Sequence, residues 1–343
     1  MSAPCVYVEE GVSQHPRAGR FLARLPRAEV ISCAHYGEVF NRRAQDFRLQ
    51  KRNPAWIVAA KNAGWVLEAP PGYGVGGEEN YYFSHMLNCV YDCGYCFLQG
   101  MFRSAHYLWF VNYEDFMQAI DARLAATTSE AVWFFSGYDC DSLAAEPLTR
   151  FAAEFLPFFA ARPRAWLELR TKSVQIDALL GREPIANCVV AFSFTPTEVH
   201  EVLEGTVPSV ERRLAAMSRL AAAGWSLGLR FDPLIWSPDH VARYRRLFDQ
   251  VFAAVPARSV HSASLGAFRL PRSFYTRMRK MSPLDPLLAG PLVDTEGLVS
   301  YRPDLEEELL AGVSRLLLER LPESRFFPCR PLQGERSAIT SAQ

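Results

Sequence analysis

The sequence predicts an α/β protein: an open, partial (β/α)6 barrel of the TIM type behind a small N-terminal α/β lead-in. Three observations predict it. From Tyr81 onward, short runs of β-branched and aromatic residues alternate with longer amphipathic segments. Strands and helices alternating at that spacing imply right-handed βαβ units and a parallel sheet. Six such units are found, fewer than a closed eight-strand barrel needs. The chain of 343 residues is long enough to bury one large core with an appendage. The expected boundaries are 1–75 for the lead-in, 76–325 for the barrel with a helical closure, and 326–343 for a tail.

Taken in order, 5–9 (Cys-Val-Tyr-Val-Glu) alternates as a short strand, 16–25 is helical, and 29–32 is a second strand. Residues 41–61 carry Arg42, Arg43, Arg48, Lys51 and Arg52 ahead of an apolar run. That pattern suits either a solvated basic loop or a phosphate-contacting edge. Pro70 to Gly77 is a glycine-rich connector; no Gly-Lys-Ser/Thr follows, so it is not a phosphate loop. A first barrel strand begins at Tyr81 and ends at a cysteine loop. Asn112 is placed to cap a helix over 113–126, with Glu114 and Asp115 in its first turn. The second to sixth barrel strands are 131–137, 165–172, 188–194, 225–231 and 259–268. Helices are expected over 142–161, 174–180, 208–223 and 238–254. Residues 268–280 interleave five basic residues with two further aromatics, as a stacking groove or an amphipathic helix would. An amphipathic helix over 304–321 closes the fold.

Composition narrows the function classes. Formal net charge is zero, which argues against a surface coated for bulk nucleic-acid binding but not against a local basic groove. Apolar residues make up 49%, as in ordinary globular proteins. No basic n-region and apolar h-region open the chain, and no run of about 18 apolar residues occurs, so neither a signal peptide nor a membrane span is expected. A reducing cytoplasm is the expected compartment, where free thiols persist.

The chemistry-bearing stretch is 81–102, which holds Cys89, Cys93 and Cys96 in a C-x3-C-x2-C loop. A cubane [4Fe–4S] cluster takes one thiolate per iron, so three cysteines leave one iron open to bind a small molecule. Tyr95 and Phe97 flank the last cysteine and would keep water off the cluster. The alternatives are a zinc site of the three thiolates with His85, and disulfides, which three cysteines cannot satisfy evenly. Cys5, Cys33 and Cys188 read as buried small hydrophobes. Because a parallel barrel places its site at the carboxyl ends of its strands, those ends gain weight. They carry Tyr138, Asp139, Cys140 and Asp141 after the second strand, Lys172 after the third and Ser193 after the fourth. The two aspartates suggest an exposed loop around Cys140. Lys172 could pair with Asp177 on the surface, or with a cofactor carboxylate in the site.

The cysteine spacing, the aromatic before the last cysteine and the strand in front resemble the radical S-adenosylmethionine superfamily. The resemblance narrows to the spore photoproduct lyase family, from Val6 to about Glu308. Its pieces are Phe47-Arg-Leu-Gln-Lys, Pro54-Ala-Trp-Ile-Val-Ala-Ala-Lys, Cys89-Val-Tyr-Asp-Cys-Gly-Tyr-Cys-Phe-Leu-Gln, Asp141-Ser-Leu-Ala-Ala-Glu-Pro-Leu-Thr, Thr171-Lys172, Phe192-Ser193 and Ala222-Ala-Gly-Trp-Ser-Leu-Gly. The resemblance implies a partial barrel, a cluster on Cys89, Cys93 and Cys96, and S-adenosylmethionine held by Lys172 and Ser193. Cys140 and Asp141 would also lie against the cofactor. It further implies a carbon–carbon lyase that reverses a methylene-bridged thymine dimer in DNA, served by a reducing donor such as flavodoxin or ferredoxin. Catalytic roles fall to Tyr95, Tyr138 and Cys140.

The departures from the family pattern are specific. Tyr138 occupies the position of the lyases' hydrogen-donor cysteine. Cys140 stands where they have a serine that touches the cofactor. Phe97 replaces a tyrosine, and 293–301 lacks their basic, glycine-rich segment. A thiol can give up a hydrogen atom, and Cys140 is the only cysteine outside the motif expected at a strand's carboxyl end. Tyr138 is its rival, and Cys140 could instead pack under the cofactor's adenine. Two further functions stay open: a radical enzyme of the same scaffold with another substrate, and a non-enzymatic zinc protein that docks nucleic acid.

Overall fold

A computed structural model describes residues 3–329. Its strands are β1 Cys5–Glu9, β2 Glu29–Cys33, β3 Trp56–Ala59, β4 Leu67–Glu68, β5 Glu79–Phe83, β6 Met86–Leu87, β7 Tyr107–Phe110 and β8 Val132–Ser136. They continue as β9 Ala165–Thr171, β10 Cys188–Ser193, β11 Ser226–Leu234, β12 Val260–Ala267, β13 Arg269–Pro271, β14 Leu292–Thr295, β15 Leu298–Tyr301 and β16 Phe326–Pro328. The main sheet has the order β16-β12-β11-β10-β9-β8-β5-β4. Six consecutive parallel strands, β5 and β8 to β12, form the half-barrel expected from the sequence. Strands β8 and β10 are buried along their whole length, as strands covered on both faces must be, which is why they read as unbroken apolar runs.

Inside the curl, Glu168 of β9 is fully buried and accepts from Arg230 of β11 at 2.6 Å and Arg170 at 2.9 Å. Burial alone would raise the Glu168 carboxyl, but the two guanidiniums hold it down at about 2. On the outer face, Phe83 stacks on Phe155 at 5.4 Å and the His85 ring lies flat on Phe151 at 3.8 Å.

Several elements differ from the sequence expectation. The helix expected over 142–161 is two, Glu146–Thr149 and Phe151–Ala160, broken at Arg150 in a left-handed conformation. The Glu146 carboxylate turns back and accepts from the Ala152 and Ala153 amides at 2.8 and 3.0 Å, satisfying the start of the second helix. Asn112 stands at its N-cap position but makes no side-chain cap; its amide bonds both backbone groups of Lys61 instead. A short helix, Thr197–Leu203, was not expected. The N-terminal sheet, β2-β1-β3-β7-β6, recruits β6 and β7 from beyond residue 76, while β4 joins the main sheet. The cysteine loop therefore follows β6, not the first barrel strand. Phe326–Pro328, placed in the tail, is a strand parallel to β12; residues 330–343 of that tail lie outside the described residues. Residues 269–281 resolve into β13 and a helix, Arg272–Met281, that buries Phe274 and Met278. No helix among the described residues is long and apolar enough to cross a membrane.

Candidate active site

The carboxyl ends of the parallel strands open on one cavity of about 320 Å³, within the size of small-molecule sites. Cys89, Cys93, Tyr95, Cys96, Tyr138, Cys140, Asp141, Lys172 and Ser193 all line it. These nine residues therefore face one space, while Asp139 and His85 do not line it.

The cysteine loop is held from outside by the basic run of 41–61. Lys51 donates to the carbonyls of Cys89 and Tyr91 at 3.1 and 3.3 Å. Arg48 pairs with Asp92 at 3.2 Å and with Gln99, whose amide donates to the Cys93 carbonyl at 2.6 Å. That run thus clamps the loop, a role neither sequence reading gave it. Burial pushes all three thiols up, Cys93 well above its ordinary value. Holding them as thiolates needs compensating positive charge, which bound iron would supply. Among the described residues no three His, Cys, Asp or Glu side chains gather around a single-ion position. His85 is fully buried on Phe151, with Nδ1 3.9 Å from the Cys140 sulfur; burial lowers it to about 3.

Lys172 reaches the cavity with its ammonium 5.3 Å above the Tyr95 ring, not toward Asp177. Burial disfavours its charge, but Cys93 and Glu204 outweigh that and raise its pKa, so it stays a cation. Glu204 is the centre of a network that sequence reasoning missed. It accepts from the Tyr95 hydroxyl, from Thr195 at 3.1 Å, and from Arg213 at 2.9 Å, and it lies 3.1 Å from His200. Arg213 also donates to the Ser193 carbonyl at 2.7 Å. Burial opposes the charge on Glu204, yet His200, Lys172, Arg213 and Tyr95 together hold its carboxyl at about 2. The Tyr95 hydroxyl is thereby committed to a carboxylate. Only the turn after Thr197–Leu203 brings Glu204 there, and that helix had left no clear period in the sequence.

The loop after β8 is buried, contrary to expectation: Asp139, Cys140 and Asp141 are 6%, 6% and 8% exposed. Asp141 accepts from the Leu143, Ala144 and Lys172 amides and from the Thr171 hydroxyl, at 2.6 to 2.9 Å, and so pins this loop to the end of β9. Gly137 (φ +81°) permits the turn; a Cβ there would meet the Ser142 hydroxyl at 2.6 Å and the Arg170 carbonyl at 2.8 Å. Cys140 is pushed well up by burial first, then by Cys89, Asp139 and Asp141, so its thiol stays protonated.

The far end of the cavity was largely unread. Tyr73, on the connector treated only as a linker, packs against Tyr138 at 5.3 Å and beneath the Arg170 guanidinium at 4.4 Å. Tyr138 also meets Tyr82 and Phe97. Asp232, Arg269 and Cys329 complete that end.

A family model described as spore photoproduct lyase matches residues 78–281. The spore photoproduct lyase of Bacillus subtilis is 25% identical over 193 residues, covering 56% of each chain. That of a Geobacillus species is 25% identical over 164 residues, covering 48% of each. The chain thus matches about half the length of these curated relatives. A solved mutant of spore photoproduct lyase with bound AdoMet and dinucleoside spore photoproduct superposes with a TM-score of 0.83 at 18% identity, over 95% of this chain and 98% of that one. At that identity the superposition speaks for the fold. The matched segment contains the cysteine loop and all of the parallel strands of the half-barrel, and on that footing the chain belongs to the spore photoproduct lyase family.

Proposed function

We infer that this chain is a radical S-adenosylmethionine enzyme that repairs a methylene-bridged thymine dimer in DNA. The observation that carries the reading is the shared cavity: the three loop thiols face the same space as Lys172 and Ser193. Cys89, Cys93 and Cys96 would hold the [4Fe–4S] cluster, leaving one iron for the cofactor. When bound, cluster and S-adenosylmethionine supply a carbon radical able to abstract hydrogen from a substrate. The chain's own residues do the rest. Lys172 offers a charge-assisted contact to the methionyl carboxylate, and Ser193 offers its hydroxyl beside it. Glu204 fixes Tyr95 under Lys172, and Arg213 ties that same carboxylate to the end of β10. Tyr138 and Phe97 wall the space between the two ends with apolar rings, which keeps water from a reactive intermediate. A low-potential donor of the flavodoxin or ferredoxin class would reduce the cluster.

The lesion is the substrate class because spore photoproduct lyase has been solved with dinucleoside spore photoproduct bound. The test is anaerobic incubation of reconstituted protein with dithionite, S-adenosylmethionine and dinucleoside spore photoproduct. Release of the repaired thymine pair with formation of 5′-deoxyadenosine supports the reading. One observation favours another substrate on the same scaffold: Tyr138 stands where the lyases' donor cysteine is expected. Cofactor cleavage with no lesion repair would select that alternative.

A further inference from the structure

One thiol in the cavity has no role so far. Strand β16 runs parallel to β12, and the Cys329 amide continues their ladder by donating to the Leu265 carbonyl at 2.8 Å. Cys329 therefore stands at a strand's carboxyl end and lines the cavity, as Cys140 does. The two differ in surroundings. Cys140 is almost sealed, with His85 Nδ1 3.9 Å from its sulfur. Cys329 is half-buried at the other end, among Asp232, Arg269 and Arg170.

Cys329 is part of a built constellation. The Arg269 guanidinium donates to its sulfur at 3.1 Å and to the Ala267 carbonyl at 2.9 Å, and faces Asp232 at 3.5 Å. The Asp232 carboxylate also engages the thiol. These groups come from β11, β13 and the end of β16, and they meet only because residue 266 is glycine. A Cβ at Gly266 would lie 2.8 Å from Arg269 Nη1, 2.9 Å from the Cys329 carbonyl and 3.2 Å from Asp232 Oδ1. Burial and then Asp232 raise the thiol to about 11, so it carries its hydrogen at neutral pH.

We propose that Cys329, held between Arg269 and Asp232, donates the hydrogen atom that quenches the product radical, in place of Cys140. This rests on the radical chemistry inferred above. In the step, the carbon radical of the product gains a C–H bond as the Cys329 S–H bond breaks, leaving a thiyl radical. The thiyl takes one electron from the low-potential donor that reduces the cluster and one proton from solvent, which restores the thiol. Cys140 then packs at the cofactor end.

The test runs the anaerobic reaction with dinucleoside spore photoproduct in D2O, where every thiol carries deuterium. The parent should place deuterium in the product. Cys329→Ser keeps the polar contacts but offers an O–H bond too strong to donate; it should form 5′-deoxyadenosine normally while product deuterium is lost to off-pathway adducts. Gly266→Ala, which forces the constellation apart, should do the same. Unchanged labelling in Cys329→Ser, or loss of label in Cys140→Ala or Tyr138→Phe instead, overturns the proposal. A second measurement needs no turnover. In cofactor-free protein, iodoacetamide labelling followed by peptide mapping should show Cys329 protected by the dinucleoside and not by S-adenosylmethionine alone. Absence of that protection overturns the assignment even if cofactor cleavage proceeds. A parent that never cleaves the cofactor refutes the radical reading itself and leaves the labelling result to judge the placement.

Discussion

The two ends of the cavity are built in opposite ways. At the cluster end, three thiols come from eight consecutive residues, and their partners stand at the ends of neighbouring strands β9 and β10. At the far end, Tyr73, Tyr138, Arg170, Asp232, Arg269 and Cys329 come from six separate segments between residues 73 and 329. The cluster end is clamped by charge: Lys51 and Arg48 from outside, Glu204 and Arg213 from behind. The far end is padded with tyrosine rings and lined by two guanidiniums that already have partners within the protein. A chemical step common to a family needs its groups fixed on one short loop. The far end is instead assembled from distant pieces, among them Tyr138 after β8 and Cys329 after β16, which meet only in the folded chain.

The largest expected effect breaks the cluster end alone. Cys93→Ala should lose iron and all cofactor cleavage, while the far end still folds; iron content by metal analysis and the circular dichroism spectrum check both halves. Next comes Glu204→Ala, which leaves Arg213 buried without its carboxylate and should cost about 3–5 kcal/mol of folding stability. Urea unfolding measures it. Because the Glu168 and Glu204 carboxyls are depressed to about 2, they stabilise the fold fully above the ordinary carboxylate range, and that stability is lost as pH falls toward 2. The acid limb of the unfolding curve should therefore be shallower in Glu204→Ala than in the parent.

This contrast also explains what could be read from the sequence. The parallel half-barrel was legible because β8 and β10 are unbroken apolar runs punctuated by helices. The cysteine loop was legible as one unit because its three thiols stand within eight residues, and they do line one cavity. Lys172 and Ser193 followed from the rule that sites lie at carboxyl ends. Glu204 was not legible, since a single glutamate after a short helix carries no local signal until the fold brings Arg213 and Tyr95 to it. Cys329 was missed because β16 is three residues long and adjoins a polar tail; two adjacent phenylalanines followed by Pro328 were the available hint. The double role of Glu146, inside one helix and capping the next, likewise needs the left-handed turn at Arg150 that composition does not reveal.

Two smaller effects sharpen the comparison. Lys172→Ala should weaken S-adenosylmethionine binding by about 1.5–3 kcal/mol, the worth of a charged hydrogen bond, with folding stability little changed. Equilibrium dialysis under argon reads the affinity. Lys51→Ala removes two hydrogen bonds that hold the cysteine loop, and each is worth about 0.5–1.5 kcal/mol. Reconstituted protein should then release iron to a chelator faster than the parent, while the far-end thiol Cys329 keeps its alkylation rate. A change at Cys329 would show that the two ends are coupled.

Three loop thiols on a [4Fe–4S] cluster would leave one iron open toward Lys172 and Ser193. That open position is tested most directly by electron paramagnetic resonance of the dithionite-reduced, iron-reconstituted protein with and without S-adenosylmethionine. A [4Fe–4S] signal is expected that changes on adding the cofactor in the parent and changes less in Lys172→Ala. Stoichiometric zinc with no iron uptake, or a cluster signal indifferent to S-adenosylmethionine, would contradict it.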